Sequence, residues 1–315
     1  MRADSGSLAV VVRDGRPGPA LEARDFRRAF ARFQKDRVTD HAAALTYYAL
    51  LSLFPALLLG VALLGVFGQQ GLVSDASSFL ISVGAPRETV NAVTGALESA
   101  QHNRGTAVTA LVLALGTSLY GASGAFGAVG RALNTIWRVE EGRGFVKHKA
   151  HDVGWTIVVL VLVLVTAVLL FLGGALSEFV FSQIGLGGTT AAIWRYARWP
   201  AALLAMILIY AVVYFAAPNV EIRRFRWITP GAMFGVAAWL LASAGFFVYV
   251  SNFGSYQATY GAFAGMVILL VWMWVSNVVL LFGAELNAVI DVRRSPHLSD
   301  RYDGPPLPAK EPADA

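Results

Sequence analysis

Six apolar runs of about twenty residues dominate this sequence. They lie at about 43–67, 107–129, 153–176, 199–217, 228–250 and 261–284. A helix needs about 20 apolar residues to cross a hydrocarbon core about 30 Å thick, so each run is long enough to span a membrane. The third run carries no charged residue from Gly154 to Leu172. We therefore predict an all-α polytopic membrane protein with six transmembrane helices.

The composition agrees with a chain that folds in lipid. Only 14% of the 315 residues are charged and 56% are hydrophobic, whereas soluble domains carry about 25% charged residues. Cysteine is absent, which excludes a disulfide framework, a thiolate metal site and a cysteine nucleophile.

The basic residues are distributed unevenly among the loops. Of the 25 Lys and Arg residues, 21 lie before residue 43, within 130–152 and 218–227, or after the sixth run. The remaining four lie in the two long loops, 68–106 and 177–198. This alternation follows the positive-inside rule and predicts that both termini are cytoplasmic. It also explains the net charge of +5 without RNA binding, which is the less favoured alternative.

Both ends of the chain lack a long apolar run. We predict a disordered cytoplasmic tail over 1–20, one membrane domain over 21–292, and a disordered Pro-rich tail over 293–315. Within the domain, Phe26, Phe30 and Phe33 recur at helical spacing between basic residues. That pattern predicts an amphipathic helix lying in the membrane interface before the first span. The stretch 88–99 in the first long loop has the pattern of a short amphipathic helix.

The first span has a polar side. Asp40, Tyr47 and Pro55 are separated by seven and eight residues and share one side of a helix, and Ser52 lies close to them. Pro55 cannot donate a backbone hydrogen bond and predicts a kink near Leu51. Two interpretations remain open: a packing kink with an interfacial aspartate, or a polar face that lines a cavity.

The second span is rich in glycine. Gly121, Gly124, Gly127 and Gly130 recur at every third position. Small residues let helices pack closely in lipid, and this is the favoured interpretation. The alternative is a locally broken helix whose backbone contacts a ligand.

Polar residues also lie near the end of the last span. Asn277 and Glu285 are eight residues apart on nearly one face, and Asn287 follows. Ionisable residues within membrane segments usually face a cavity or a partner, so Glu285 either lines a cavity or lies at the interface.

No enzyme motif is recognisable in the sequence. It contains no Walker phosphate loop, no GxSxG elbow and no HExxH pair. His148, His151 and Asp152 have no further spaced ligand, and the neighbouring Lys147 and Lys149 oppose a cation. We therefore expect no enzymatic activity, no cofactor and no metal.

Several blocks of the sequence together resemble the YihY/BrkB family of bacterial inner-membrane proteins, also known by the older label of ribonuclease BN. These blocks are AAALTYYALLSLFP after Asp40, LNTIWRV from Leu133 to Val139, Pro218-Asn219, and the stretch from Ser255 to Val289. The resemblance covers residues 24–292. It implies a six-helix protein of the inner membrane, linked to envelope integrity and in one lineage to serum resistance. The ribonuclease label looks like a misassignment, because the sequence lacks a nuclease site.

The leading hypothesis is transport or lipid handling through a polar cavity inside the membrane. The residues predicted to line the cavity or substrate pathway are Asp40, Tyr47, Ser52, Pro55, Asn134, Tyr260, Asn277, Glu285 and Asn287. The expected partners are membrane lipids, with no nucleic acid. One alternative is a scaffold that recruits an envelope-assembly protein through the 68–106 loop or the N-terminal helix. A membrane-bound ribonuclease that processes tRNA is the least favoured alternative.

Overall fold

Helices make up almost all of the described chain. The computed structural model describes residues 11–12, 21–67, 104–171, 188–222, 226–251 and 254–294, with residues 77, 81, 87, 90–91 and 94–95 between them. The helices with defined bounds are α1 (Ala23–Lys35), α2 (Val38–Phe67), α3 (Arg104–Ile136), α4 (Phe145–Phe171), α5 (Gly188–Ala216), α6 (Pro230–Ser251) and α7 (Gly254–Arg294). The strand β1 (Val11–Val12) pairs in parallel with β2 (Glu221–Ile222), and Val11 aligns with Glu221.

Over the residues that the structure describes, four helices are long and apolar enough to cross a membrane. The stretches that meet this criterion are Phe145–Thr166, Ile193–Ala216, Pro230–Ser251 and Gly265–Arg293. They correspond to the third through sixth predicted spans. The first two predicted spans overlap α2 and α3, so each of the six runs falls on a helix over its described residues, while the count of six membrane spans stays a prediction.

The helices extend beyond the apolar runs that predicted them. α3 continues to Ile136, α5 begins at Gly188 and includes Pro200, and α7 continues to Arg294. Apolar runs mark the part of a helix that suits hydrocarbon, whereas backbone hydrogen bonding continues into polar surroundings. The predicted loop 130–152 is therefore shortened at both ends, because α4 already begins at Phe145.

The described residues of the first long loop are helical at positions 77, 81, 87, 90–91 and 94–95. Thr94 Oγ1 donates to the carbonyl oxygen of Val90 at 2.9 Å, one helical turn back. These residues agree with the short helix predicted over 88–99. Most of both predicted tails lies outside the described residues, and the tail boundaries stay a prediction.

The chain divides into two units, one formed by Met1–Thr46 with Phe126–Ala315 and the other by Tyr47–Ala125. In the smaller unit, α2 and α3 pack closely at Gly121. A Cβ atom on Gly121 would lie 3.6 Å from the Ser52 Cα atom. A methyl group would fit there in ordinary van der Waals contact, so α2 and α3 touch at Gly121 without requiring glycine.

In the larger unit, glycines also mark close helix contacts. A Cβ atom on Gly127 would lie 2.6 Å from Asp152 Oδ2 of α4, and one on Gly130 would lie 2.9 Å from the Ala217 carbonyl oxygen after α5. On α6, a Cβ atom on Gly231 would overlap the carbonyl oxygen of Gly283 in α7. These contacts favour packing over a broken helix in this part of the chain.

Helix α1 packs against α6 and α7 with its apolar face. The rings of Phe26 and Phe234 are 5.1 Å apart, and those of Phe33 and Phe282 are 5.7 Å apart. Ala29 lies between these contacts in a buried cluster with Leu286, Val289 and Ile290. Phe30 is 55% exposed, so it alone of the three phenylalanines has a side chain mostly outside the protein interior. A helix is therefore present over Ala23–Lys35, and its assignment as an amphipathic helix in the membrane interface stays a prediction.

Candidate functional site

Asn287 caps the start of α6. Its Oδ1 atom accepts a hydrogen bond from the Gly231 backbone N–H at 2.8 Å, and its Nδ2 atom donates to Thr229 Oγ1 at 3.0 Å. Thr229 Oγ1 also accepts from the Ala232 N–H at 3.1 Å. The first backbone donors of a helix have no partner within the helix, and these two side chains supply acceptors. Both polar ends of Asn287 are therefore engaged in holding α7 to α6.

Asn134 joins the end of α3 to the end of α5. Its Oδ1 atom accepts from the Asn219 backbone N–H at 2.6 Å, and its Nδ2 atom donates to Glu141 Oε2 at 3.2 Å. Asn219 in turn donates from Nδ2 to the Glu140 carbonyl oxygen at 2.9 Å. The structure thus engages Asn134 in contacts between helix ends.

The other predicted pathway residues differ in their burial and in their hydrogen-bond partners. Asn277 Nδ2 donates to Thr46 Oγ1 at 3.1 Å, while the side chains of Asp40 and Tyr47 are exposed. Ser52 Oγ donates to the Ala49 carbonyl oxygen at 2.8 Å within α2. Two remaining residues, Pro55 and Tyr260, lie in α2 and α7, and their side chains are outside the described residues.

Four charged side chains form a mostly buried group where α1, α3 and the second half of α7 meet. We name this the buried ionic cluster; it consists of Arg32, Asp36, Arg138 and Glu285. Arg138 Nη2 lies 2.5 Å from Asp36 Oδ1, and the two side chains are only 4% and 3% exposed. Arg32 Nε lies 3.7 Å from Glu285 Oε2, and the Glu285 side chain is 0% exposed. The formal charges of the four groups cancel.

Local backbone structure places these residues. α1 ends at Lys35, and Arg37 takes a positive φ of 48° before α2 begins at Val38. Arg138 likewise has φ 54° just after α3. A left-handed residue commonly ends a helix, although glycine usually occupies it. Asp36 and Arg138 therefore lie at two helix ends that meet.

Several polar atoms in the buried ionic cluster have no hydrogen-bond partner among the described residues. They are both carboxylate oxygens of Glu285, Asp36 Oδ2, and Arg138 Nε and Nη1. Buried polar atoms in proteins are nearly always bonded to the protein or to water. Within the described part of the chain, the cluster thus holds both acceptors and donors without partners, which is the chemistry that suits bound water or a polar ligand.

A second ionic group flanks the cluster and fastens α1 to the end of α7. Arg293 Nη1 lies 2.7 Å from Glu22 Oε1, and Arg293 Nη2 lies 3.2 Å from Asp25 Oδ2. Asp25 Oδ2 also accepts from the Glu22 N–H at 3.0 Å in a capping box at the start of α1. These pairs stabilise the packing of α1 on α7.

The loop between α3 and α4 carries a third polar network. Arg143 donates to both oxygens of Glu141, at 2.7 Å from Nε and 2.9 Å from Nη2. The imidazole of His148 lies 3.4 Å from Glu141 and 3.3 Å from Asp152. Burial by itself would raise the pKa of Glu141, but the hydrogen bonds and charge of Arg143, with His148, hold that pKa below its ordinary value. In the part of the chain that the structure describes, no acidic or histidine side chains are grouped to hold a metal ion.

Sequence reasoning found only Glu285 of the buried ionic cluster. Arg32 and Arg138 belong to the basic residues that predict orientation, and Asp36 belongs to no motif in the sequence. Nothing in the sequence marks a pair of charges 102 residues apart. The one available signal was that Arg138 lies inside the block LNTIWRV, which carried part of the family resemblance.

One family model and several known proteins match most of this chain. A family model described as "Virulence factor BrkB" matches residues 29–306. A ribonuclease-like protein named YfkH from Bacillus subtilis is 28% identical over 85% of this chain and 95% of its own length. A UPF0761 membrane protein from Pseudoalteromonas translucida is 31% identical over 81% of this chain and 82% of its own length. Another UPF0761 membrane protein, from Aeromonas salmonicida, is 29% identical over 85% of this chain and 89% of its own length. No solved structure matches this chain.

Proposed function

Because the chain belongs to the BrkB family of membrane proteins, we propose that it moves a lipid or a small polar solute through the membrane. The buried ionic cluster is the site of this activity in our proposal. The observation that carries the proposal is the set of free donors and acceptors on Arg138, Asp36 and Glu285 in a buried position.

A purely structural ion cluster would be expected to satisfy its own polar atoms. Burying charges is costly unless close contacts and hydrogen bonds compensate. Within this chain, Glu141 and Arg143 meet that expectation with two short hydrogen bonds, whereas Glu285 accepts none from the described residues. Ionisable groups left in this state within membrane proteins usually mark a pathway for a substrate or an ion.

The proposed setting is the bacterial inner membrane with both termini in the cytoplasm. The uneven distribution of Lys and Arg supports this orientation. The cluster then lies at the cytoplasmic end of the membrane domain, since Arg32 and Glu285 lie near the start and the end of that domain in the chain. Neither a cofactor nor catalysis is required in this proposal.

Reconstituted vesicles test the proposal. We expect wild-type protein to accelerate either the exchange of a fluorescent phospholipid between leaflets or the efflux of a trapped polar dye, relative to empty vesicles. The double variant Asp36→Asn/Arg138→Gln removes both charges of one pair and should abolish that acceleration. The variant Glu140→Gln alters an exposed carboxylate outside the cluster and should retain it. Wild-type vesicles that exchange neither lipid nor solute would overturn the proposal.

The exposed face of α1 favours a second candidate, a scaffold that binds an envelope-assembly partner. Arg27, Arg28 and Lys35 are exposed and make no ion pair within the residues that the structure describes, and Phe30 lies exposed on the same helix. A partner or membrane surface with negative charge would suit this face. The double variant Arg27→Gln/Arg28→Gln would then abolish function in cells, while the cluster variant would retain it.

A tRNA-processing ribonuclease is the least favoured candidate. Cleavage of tRNA precursors by the purified protein supplemented with metal ions would be needed to support it.

A further inference from the structure

We propose that Glu285 is a proton-binding site, which takes up a proton from water and releases it again while the buried ionic cluster handles its cargo. This inference deepens the proposed function. It rests on that function for the role of the proton, which is to accompany the handling of cargo. Proton binding itself is a property that can be measured without any cargo.

The geometry of Glu285 differs from that of the other buried acids in the same unit. Asp36 has Arg138 at 2.5 Å, and Asp25 has Arg293 at 3.2 Å together with a backbone N–H at 3.0 Å. Arg32 Nε lies 3.7 Å from Glu285 Oε2, which is beyond hydrogen-bond distance. Neither of its oxygens accepts a hydrogen bond from the described residues, and its side chain is fully buried.

The charged partner of Glu285 has a second contact that does not depend on the carboxylate. Arg32 Nη2 donates to the carbonyl oxygen of Ile136 at the end of α3, at 3.3 Å. Carbonyl oxygens at a helix C-terminus attract cations because the last carbonyls of the helix lack partners. Arg32 therefore keeps a favourable contact when Glu285 becomes neutral.

The proton transfer balances without any other reactant. A proton from water binds one carboxylate oxygen of Glu285 and forms a neutral carboxyl group, and release reverses the step with no change in oxidation state. The neutral form removes a buried charge that has no hydrogen-bond donor, and it gains an O–H group that donates to water or to a cargo oxygen.

The charges around Glu285 come from three elements. Arg32 on α1 and Arg138 after α3 favour the ionised form, and Asp36 after α1 opposes it. On α7 itself, the neighbouring Asp291 lies 3.7 Å from Arg226, and Arg293 is engaged by Glu22 and Asp25. On α2, His41 interacts with Asp36 and Asp40, and burial lowers the pKa of His41 against the charges of those two carboxylates. His41 is thus a neutral group beside the cluster at pH 7.

Infrared titration of the purified full-length protein tests the proposal. We expect wild-type protein to show the carbonyl band of a protonated carboxyl group that grows as the pH is lowered from about 9 to about 5. The variant Glu285→Gln should lose one carboxyl group's share of this band, and the variant Glu141→Gln, which alters a carboxylate outside the cluster, should retain the wild-type intensity. Titrations that are identical for wild type and Glu285→Gln over this range would overturn the proposal.

A second variant keeps the test decisive if Glu285→Gln folds poorly. Glu285→Asp retains a carboxyl group in a slightly different position, so it should restore a band at a shifted frequency. A band with the wild-type frequency in this variant would assign the proton to another residue. The infrared band and vesicle transport are separate measurements. A band that Glu285→Gln leaves unchanged contradicts proton binding alone, and absence of transport by the wild type contradicts the proposed function alone.

Discussion

Arg138 and Asp36 lie 102 residues apart in the chain, yet their side chains form a buried ion pair at 2.5 Å where the ends of α1 and α3 meet. The pair connects the N-terminal helix to the block LNTIWRV. It also supplies two of the four charges of the buried ionic cluster, so the cluster depends on the way in which these two helices end.

Breaking this ion pair should destabilise the protein strongly. Arg138→Gln or Asp36→Asn alone leaves one buried charge without its partner, and we expect a loss of about 3–5 kcal/mol. The double variant leaves two neutral groups that still form hydrogen bonds, so it should lose less than the two single variants combined. Thermal unfolding of the detergent-solubilised proteins measures this. Losses that simply add would show that the two side chains do not act as a pair.

Substituting the glycine at the contact of α6 and α7 should also be destabilising. In Gly231→Ala the new methyl group would overlap the Gly283 carbonyl oxygen and lie 2.6 Å from Asn287 Cγ. We expect a loss of about 1–3 kcal/mol, because the two helices must move apart.

Gly245→Ala in the same helix is the matched control for this substitution. A Cβ atom there meets nothing within 4 Å among the described atoms, and alanine is the better helix former by about 1 kcal/mol. Thermal unfolding should therefore rank Gly245→Ala at or above the wild type and Gly231→Ala below it. An equal effect of both substitutions would contradict the close contact.

Acid should weaken the loop between α3 and α4 through Glu141. The pKa of Glu141 is held below its ordinary value in the folded protein, so the unfolded chain takes up a proton first as the pH falls. The stabilisation is complete above the unfolded pKa and disappears as the pH falls through the lowered folded pKa. Thermal unfolding of wild type and Glu141→Gln should differ at pH 7 and converge as the pH falls below the ordinary glutamate pKa of about 4.3. A constant gap between wild type and Glu141→Gln over this range would refute the linkage.

The apolar runs predicted the helices well because hydrophobic length is a local property. The charge-free run from Gly154 to Leu172 lies almost entirely within α4. The helix ends were harder to predict. α7 extends to Arg294 because Leu286, Val289 and Ile290 are covered by α1, and an apolar stripe that packs against protein has the same pattern as one that faces lipid.

The candidate site was less predictable because its contacts are not local in the sequence. The polar identity of Asn134, Glu285 and Asn287 marked them for attention, but their partners come from distant parts of the chain. Asn287 faces Gly231 and Thr229, and Glu285 faces Arg32. A single sequence carries no direct sign of such pairings. It therefore did not distinguish Asn134 and Asn287, which are engaged in helix contacts, from Glu285, which accepts no hydrogen bond from the described residues.

The transport rate of Glu285→Gln vesicles, normalised to the amount of folded protein, tests the central claim most directly. Glutamine keeps the size of the side chain and removes its charge and its proton exchange, so the fold should tolerate it. We predict that exchange of phospholipid or efflux of solute falls to the rate of empty vesicles, while Glu140→Gln keeps the wild-type rate. A Glu285→Gln protein that transports as fast as the wild type would contradict the claim that the buried ionic cluster is the working site.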